Sequence, residues 1–339
     1  WLKQRPPLKM AAAPAFDVVL GSPSDLPDVI ESLALKGFCV IDASVCGKLA
    51  SDALSEVKDI PKARFSAPPS AEGVRVADGL LGADGSARIA ELLPPGAKQA
   101  NGAKLNELDE FCTELSIGLG EYLPLLGTDV STRSAGLIHE SVKAESSDAT
   151  LDLDEIECSK WLRIFTRHRL MILVFLGPAE GTLELGLFGE ESTETHTVAT
   201  GPNVMVILRA DAVSRKHHAA SGKAHVYSCF VTTTRDAPKP TEPPFPPHRE
   251  ALIQWSLARL KELKDLEDDD PAVAGVPKPW ARAMNALFHR GQQACVRGDS
   301  CKLAGPVGWE PEGFTCQMML GADTVSEIPH SRFVVDDWY

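Results

Sequence analysis

The sequence contains nine histidines and eight cysteines, the side chains best suited to hold a metal or to act as nucleophiles. A metal that keeps open positions for reactants can be held by two histidines and one carboxylate. In such a site the first histidine and the carboxylate are spaced His-x-Asp or His-x-Glu. Only His248 and Glu250 have this spacing, at a predicted helix start where a carboxylate also complements the helix dipole. His139 is followed directly by Glu140, which is the wrong spacing. The His-x-carboxylate pair of such a metal site is therefore missing from the sequence.

The cysteines are scattered along the chain, with no C-x-x-C pair and no histidine at zinc-finger spacing. This distribution indicates reduced thiols in a cytosolic-type compartment. We therefore expect a cytoplasmic protein, and the sequence leaves a plastid location open.

Composition indicates a folded chain of one or two domains. At 339 residues, 44% hydrophobic and 24% charged, the sequence matches globular averages. The formal net charge of -13 disfavours nucleic acid and anionic membranes as partners, because both attract an excess of Lys and Arg. The longest apolar run, residues 170–176, is far shorter than the roughly 20 residues of a membrane span. We expect no membrane span.

The N-terminal part has the pattern helix, strand, helix. "DVIESLALKGF" has helical apolar spacing, "FCVID" is typical of a short buried strand, and "VCGKLASDALSEVKDI" predicts the second helix. Residues 62–104 are rich in Pro, Gly and Ala, which predicts mostly loop with one short helix at "SARIAELL". Apolar residues spaced by three and four then predict a helix over 104–120.

Short strands follow from residue 160 and predict an antiparallel sandwich or barrel. They are "RLMILVFLGP", "GTLELGLF", "THTVATG", "NVMVILRADAV" and "AHVYSCFVTTT". Residues 235–248 hold six prolines, so we expect a linker that ends the first domain near residue 234. Beyond it, a helix over 249–266 either packs on the protein or serves as a docking or dimer helix, and its apolar stripe is too short to decide.

This order of elements over residues 25–234 resembles the 2-oxoglutarate, Fe(II)-dependent oxygenases of the prolyl 4-hydroxylase type. The resemblance implies an α+β protein with a double-stranded β-helix, or jelly-roll, core and flanking N-terminal helices. It also implies Fe(II) and 2-oxoglutarate as cofactors of an active oxygenase. The family's distal histidine should follow "LRADAVS", where this sequence has Arg215.

Two candidate pairs remain for the oxygenase alternative. His217 and His218 would be its metal ligands, and Lys223 or His225 stands where the family has a basic partner for the oxo-acid. Because the His-x-carboxylate pair is missing, our main expectation is a jelly roll kept as a scaffold, with no metal and no cofactor. His217 and His218 are then surface residues of a hairpin.

Residues 293–339 resemble the N-terminal end of the β-ketoacyl synthase domain of type I polyketide and fatty acid synthases. The motif begins at "GDSCKLAG", continues through "MMLGAD" and closes with "EIPHSRFVVDDWY". Lys302, Ala304 and Phe333 replace the family's Arg, Pro and Trp, and Val334 stands where the family has Asp. The arrangement is similar to the polyketide synthases of protists. The family's nucleophilic cysteine and its two histidine motifs would follow Tyr339, so we assign no catalytic residue here.

The sequence thus predicts four segments and one main function. The segments are an N-terminal extension (1–24), the divergent jelly-roll domain (25–234), a Pro-rich linker with helices (235–292) and the incomplete ketosynthase start (293–339). The main interpretation is a non-catalytic fragment of a ketosynthase that condenses acyl thioesters. The alternatives are a 2-oxoglutarate and Fe(II)-dependent hydroxylase, or an interaction module. Expected partners are acyl carrier protein or other synthase modules, with a homodimer formed through the ketosynthase.

Overall fold

The protein is described by a computed structural model over residues 16–44, 47–97, 102–127, 132–142, 151–188, 195–220, 222–233 and 246–268. The chain divides into two units, Trp1–Glu262 and Leu263–Tyr339, and the folded core described below belongs to the first. The predicted ketosynthase start at 293–339 lies outside the described residues. The four predicted segment limits stay a prediction.

The described residues form six α-helices and thirteen strands. The helices are α1 (Leu26–Lys36), α2 (Gly47–Asp59), α3 (Gly82–Gly85), α4 (Ala103–Gly120), α5 (Glu155–Arg167) and α6 (Pro247–Asp268). The strands are β1 (Val18–Val19), β2 (Phe38–Asp42), β3 (Ser70–Ala71), β4 (Val74–Arg75), β5 (Arg88–Glu91), β6 (Thr132–Arg133), β7 (Leu137–Val142), β8 (His168–Pro178), β9 (Gly181–Leu187), β10 (His196–Thr200), β11 (Val204–Arg209), β12 (Val213–Ala219) and β13 (Lys223–Thr232).

Two sheets build the jelly roll. The large sheet has the order β1-β2-β11-β8-β13-β7-β5, with β6 added beside β13. The small sheet has the order β10-β9-β12. All of these pairings are antiparallel except that of β1 with β2. Of the strands from β8 to β13, β8, β11 and β13 belong to the large sheet and β9, β10 and β12 to the small one, so the chain crosses repeatedly between the two sheets.

The large sheet has a hydrophobic core on each face because side chains alternate along a strand. On one face, Ile172 of β8 and Ile207 of β11 pack with helices α1, α2 and α4. On the other, Leu173 of β8 and Val206 of β11 pack with Leu183 of β9, inside the jelly roll. The central strands are therefore buried on both sides, which explains the continuous apolar run "LMILVFL".

Residues 62–104 hold more structure than the sequence indicates. The predicted helix at "SARIAELL" is instead strand β5, with Ile89 opposite His139 of β7. The local helix propensity of these residues is weaker than the burial that pairing with β7 provides. Helix α5 was not predicted either, although Asp154 accepts a hydrogen bond from the Glu157 backbone N–H at 2.7 Å as its N-cap.

The last described helix joins the first unit through its N-terminal turns. Leu252 of α6 is completely buried, and it belongs to the same core as Trp161 and Phe165 of α5. Leu257 and Leu260 are exposed on the following turns. Within the described part of the chain, no helix is long and apolar enough to cross a membrane. The α+β fold with a two-sheet jelly roll agrees with the sequence prediction, whereas nothing in the described residues supports a ketosynthase segment.

Candidate functional site

The candidate site lies inside the jelly roll, where polar side chains from both sheets meet. Side chains alternate between the two faces of a strand. His139 and Ser141 of β7 lie on the face that lines the interior, and so does His217 of β12. We call the following six residues the interior cluster: Ser86, His139, Ser141, Thr200, His217 and Ser228. All six are at most 4% exposed, and polar groups at this depth need hydrogen-bond partners.

His217 has a partner on each ring nitrogen. The Ser141 hydroxyl donates to the Gly85 carbonyl at 2.8 Å, so it must accept from His217 Nδ1–H at 2.9 Å. The other nitrogen, Nε2, is 3.0 Å from Thr200 Oγ1 and accepts from that hydroxyl. These contacts fix one neutral tautomer of the ring.

His139 is held in the same way. Its Nδ1 is 2.9 Å from Ser86 Oγ, and its Nε2 is 2.7 Å from Ser228 Oγ. Ser86 in turn accepts the backbone N–H of Leu81 at 3.1 Å. Both interior imidazoles are therefore clamped between two hydroxyl groups, and their rings cannot rotate without breaking hydrogen bonds.

Burial keeps both interior histidines uncharged. It lowers the pKa of His139 to about 3, with smaller contributions from His217 and Arg215. It lowers the pKa of His217 to about 4, with a smaller contribution from His218. At pH 7 both rings are neutral, which is the form that binds metals.

Arg215 takes a buried position beside these histidines on β12. Its Nε donates to the Leu80 carbonyl at 2.9 Å, and its Nη1 donates to the carbonyls of Ala210 at 3.2 Å and Val213 at 3.3 Å. Its Nη2 donates to the Gly79 carbonyl. Burial lowers the pKa of Arg215 to about 9, with partial compensation from Asp211, so the guanidinium remains charged at pH 7.

The carbonyls that surround Arg215 belong partly to residues 76–86, which we call the inner segment. This segment packs against β12, where the Leu81 carbonyl accepts the backbone N–H of His217 at 2.9 Å. Such an approach needs glycine: a Cβ on Gly85 would lie 2.8 Å from Cβ of His217, and one on Gly79 would lie 2.3 Å from the Phe165 ring. The inner segment thus covers one side of the interior cluster.

The two histidines predicted as metal ligands do not come together. His217 points into the jelly roll, whereas His218 follows it on the strand and points to the other face. There, His218 Nδ1 is 3.1 Å from Asp84 Oδ2, and its Nε2 is 3.7 Å from Glu184 Oε2. His217 is buried rather than a surface residue of a hairpin.

Lys223 and His225, predicted as partners of the oxo-acid, also lie away from the interior cluster. Lys223 forms an ion pair with Glu140, whose strand neighbours His139 and Ser141 point into the jelly roll. Lys223 is therefore on the opposite face of the sheet. His225 is half-buried, and burial lowers its pKa. No finding tests whether these residues bind a ligand, so their role stays a prediction.

Two of the interior side chains are of a type that binds Fe(II). Two neutral imidazoles, His139 and His217, face the same interior space, and an imidazole is a suitable ligand for Fe(II). Across the described ranges, however, no three His, Cys, Asp or Glu side chains come close enough to hold a metal. The charged Arg215 also disfavours a cation nearby. The described residues therefore do not form a complete iron site.

The sequence did not reveal His139 as a site residue, because its partners Ser86 and Ser228 are 53 and 89 positions away. The available signal was the alternation in "LIHESV", which places His139 and Ser141 on one face of a strand. Arg215 was noted only for its place in the chain, and nothing in the sequence indicated its carbonyl contacts.

Comparison with known proteins gives structural matches only. No protein-family model and no curated protein matches the sequence. A prolyl hydroxylase from Trichoplax adhaerens, in complex with a hypoxia inducible factor peptide fragment, is 12% identical with a TM-score of 0.47, over 65% of this chain and 94% of that chain. A prolyl-4-hydroxylase from Pseudomonas putida is 15% identical with a TM-score of 0.42, over 61% and 98%.

A third match is an oxidoreductase of the 2OG-Fe(II) oxygenase family from Burkholderia pseudomallei. It is 13% identical with a TM-score of 0.36, over 66% of this chain and 95% of that chain. At these identities and TM-scores the similarity concerns the fold alone, and it assigns neither a family nor an activity to this chain.

These findings correct two predictions. The interpretation as a ketosynthase fragment is wrong, because the structures that this chain resembles are hydroxylases and oxygenases. It depended on a short motif in 293–339, outside the described residues, whereas the jelly roll accounts for most of the described chain. The expectation of no metal and no cofactor is corrected too, because it conflicts with these matches, one of which is named as a 2OG-Fe(II) oxygenase. The predicted carrier-protein partners and homodimer are not tested and stay predictions.

Proposed function

We propose that this chain is a divergent oxygenase of the 2-oxoglutarate and Fe(II) class, with His139 and His217 as its imidazole ligands. The observation that carries the proposal is the position of these rings. They come from opposite sheets of a jelly roll, and Ser141, two residues after His139, bonds directly to His217. Both are neutral at pH 7, so a metal would not have to displace a proton from either ring.

Fe(II) with 2-oxoglutarate would supply the oxidising chemistry in such a protein. The chain's own residues have a narrower task, which is to hold the two rings in place. Ser228 and Thr200 each contact the Nε2 atom of one ring. Giving up one neutral hydrogen bond per ring costs about 0.5–1.5 kcal/mol. This cost is small, so the hydroxyl contacts do not prevent the rings from binding a metal.

A second candidate is a jelly roll that binds a ligand or a partner without turnover. Arg215 favours it, because a buried guanidinium beside His139 disfavours a metal cation. The absence of a third ligand among the described side chains points the same way. The two candidates differ in whether 2-oxoglutarate binds together with a divalent metal.

The experiment is a titration of the full chain with Mn(II), a paramagnetic substitute for Fe(II), with and without 2-oxoglutarate. We expect 2-oxoglutarate to tighten Mn(II) binding, as followed by electron paramagnetic resonance. The variant His217→Phe should weaken that binding at least tenfold. His196→Phe is the matched control, because its ring is exposed on β10 of the small sheet. Equal Mn(II) affinity in all three proteins would contradict the proposal, and 2-oxoglutarate binding without Mn(II) would favour the second candidate.

A further inference from the structure

A second pair of buried histidines lies where α6 meets the jelly roll. His168 begins β8 and is 1% exposed, and His248 lies in the first turn of α6 and is 6% exposed. Their ring centroids are 6.0 Å apart. His168 stacks on Phe230 at 5.5 Å, and His248 contacts the edge of Phe165 at 4.9 Å. Neither residue belongs to the interior cluster.

This second pair lacks the hydrogen bonds that the interior histidines have. Nε2 of His248 is buried and has no hydrogen-bond partner among the described residues. The ring nitrogens of His168 form no hydrogen bond of normal geometry there, and their one polar neighbour among these residues is the Ala210 backbone. Leaving buried polar atoms without well-formed hydrogen bonds is costly and unusual in a folded protein, which indicates that the cluster normally has a bound partner.

The charge around the pair favours an anion as that partner. The guanidinium of Arg215 lies 5.8 Å from the Phe230 ring on which His168 stacks. Burial lowers the pKa of both histidines, and Arg215 is the next largest cause for each. Arg169 and Arg249 add two further cations next to the pair in sequence.

Two carboxylates lie near the cluster. Asp211 Oδ2 is 3.9 Å from Arg169 and 3.6 Å from Arg209, and its Oδ1 is buried without a hydrogen-bond partner among the described residues. Glu250 of α6 accepts from Gln254 on the exposed side of the helix. The first turn of α6 adds backbone N–H groups and the positive end of its dipole. The local balance is therefore positive.

We propose that His168, His248 and Arg215 form a binding site for a small oxyanion, such as a carboxylate. The four carbonyl contacts of Arg215 use four of its five N–H groups, so one remains for a ligand. Each neutral imidazole offers one further N–H donor. Because His248 belongs to α6 and the other two residues to the sheets, a bound anion would also fasten α6 to the jelly roll.

Two other occupants fit the cluster less well. A divalent metal would meet two imidazoles but also the charge of Arg215, which Asp211 offsets only in part. A single water would satisfy the nitrogens but would leave the positive charge unbalanced. This inference does not depend on the proposed function, because it involves none of the six residues of the interior cluster.

The test uses thermal unfolding of the full chain at fixed ionic strength with acetate, succinate, phosphate or sulfate. We expect a saturable rise in Tm of about 5 °C for the anion that fits. Comparing the rise in Tm with acetate and succinate to the rise with phosphate and sulfate distinguishes organic carboxylates from inorganic oxyanions. A separate sample with Zn(II) alone tests for a metal. If Tm rises with Zn(II) but with none of the four anions, the proposal is overturned.

Variants test whether the anion binds at His168 and His248. His248→Phe keeps the aromatic packing but removes the ring nitrogens, and we expect it to weaken anion binding at least tenfold. His196→Phe is the matched control and should respond like the parent protein. If His248→Phe and the parent respond equally to every anion, the proposal is wrong.

A measurement on the unmodified protein keeps the test valid even if the variant does not fold. The ring ¹⁵N resonances of His168 and His248 should shift on saturation with the anion, because their nitrogens gain a hydrogen-bond acceptor. The resonances of His139 and His217 should stay unchanged. Unchanged resonances of His168 and His248 at saturating concentrations of all four anions would overturn the proposal.

Discussion

The two buried histidine pairs of this jelly roll differ in the hydrogen bonds of their ring nitrogens. Every ring nitrogen of His139 and His217 contacts a serine or threonine hydroxyl. Among the described residues, three of the four ring nitrogens of His168 and His248 form no hydrogen bond of normal geometry. Burial lowers the pKa in all four cases. Burial alone therefore does not identify a binding site, whereas the hydrogen-bond inventory distinguishes the two pairs.

Arg215 lies between the two pairs, and its removal should have the largest effect on the comparison. In Arg215→Met the carbonyls of Gly79, Leu80, Ala210 and Val213 lose their donor while they stay buried. We expect the free energy of unfolding to fall by about 3–5 kcal/mol, measured by urea denaturation. Lys216→Met changes an exposed neighbour on the same strand and should cost less than about 0.5 kcal/mol. A similar loss in both variants would contradict the role assigned to Arg215.

The pH dependence of stability should be the next largest effect. The pKa of His217 is lowered to about 4 in the folded protein, from an ordinary value near 6.5. Between these values the unfolded chain binds a proton that the folded protein does not, so stability falls as pH drops from about 6.5 to about 4. The slope is about 1.4 kcal/mol per pH unit for one such group.

The variant His217→Gln tests this slope directly, because an amide can keep contacts to Ser141 and Thr200 but does not titrate. Unfolding free energies at pH 7, 6 and 5 should fall less steeply in the variant than in the parent protein. Parallel curves for the two proteins would show that His217 is not held neutral by burial.

The smallest effect compares one residue from each pair. Ser228→Ala removes the partner of His139 Nε2, and we expect a loss of about 1–3 kcal/mol in the free energy of unfolding. His248→Phe removes a nitrogen that has no partner, so stability in anion-free buffer should stay the same or rise slightly. Urea denaturation of both variants measures the difference. If His248→Phe is the more destabilising of the two, the distinction between the pairs is wrong.

The sequence predicted the parts of the fold that depend on local periodicity. Helices α1 and α4 and strands β8 and β13 follow from apolar spacing, and the structure places them close to the predicted limits. Strand β5 was predicted as a helix because its partner β7 is about fifty residues away, and pairing at that distance leaves no local signal. The resemblance to oxygenases over residues 25–234 was informative about the fold.

The site was less predictable than the fold. The sequence indicated His217 through its place after "LRADAVS". It also paired His217 with His218 as metal ligands, but neighbouring side chains on a strand point to opposite faces, so the two do not meet. His139 was set aside on the spacing to Glu140, although its hydrogen bonds come from Ser86 and Ser228 in distant parts of the chain. His168 and His248 are 80 residues apart and meet only because α6 packs on the jelly roll.

The central proposal is that this chain is an oxygenase of the 2-oxoglutarate and Fe(II) class. Its most direct test is to incubate the full chain with Fe(II), ascorbate, oxygen and 2-oxoglutarate and to measure succinate. Without its proper substrate, such an oxygenase converts 2-oxoglutarate and O₂ to succinate, CO₂ and water, with ascorbate supplying the two electrons that the substrate would otherwise give. We predict succinate formation above a protein-free control and its loss in His217→Phe but not in His196→Phe. Succinate at the level of the protein-free control, from a protein shown to be folded, would contradict the claim.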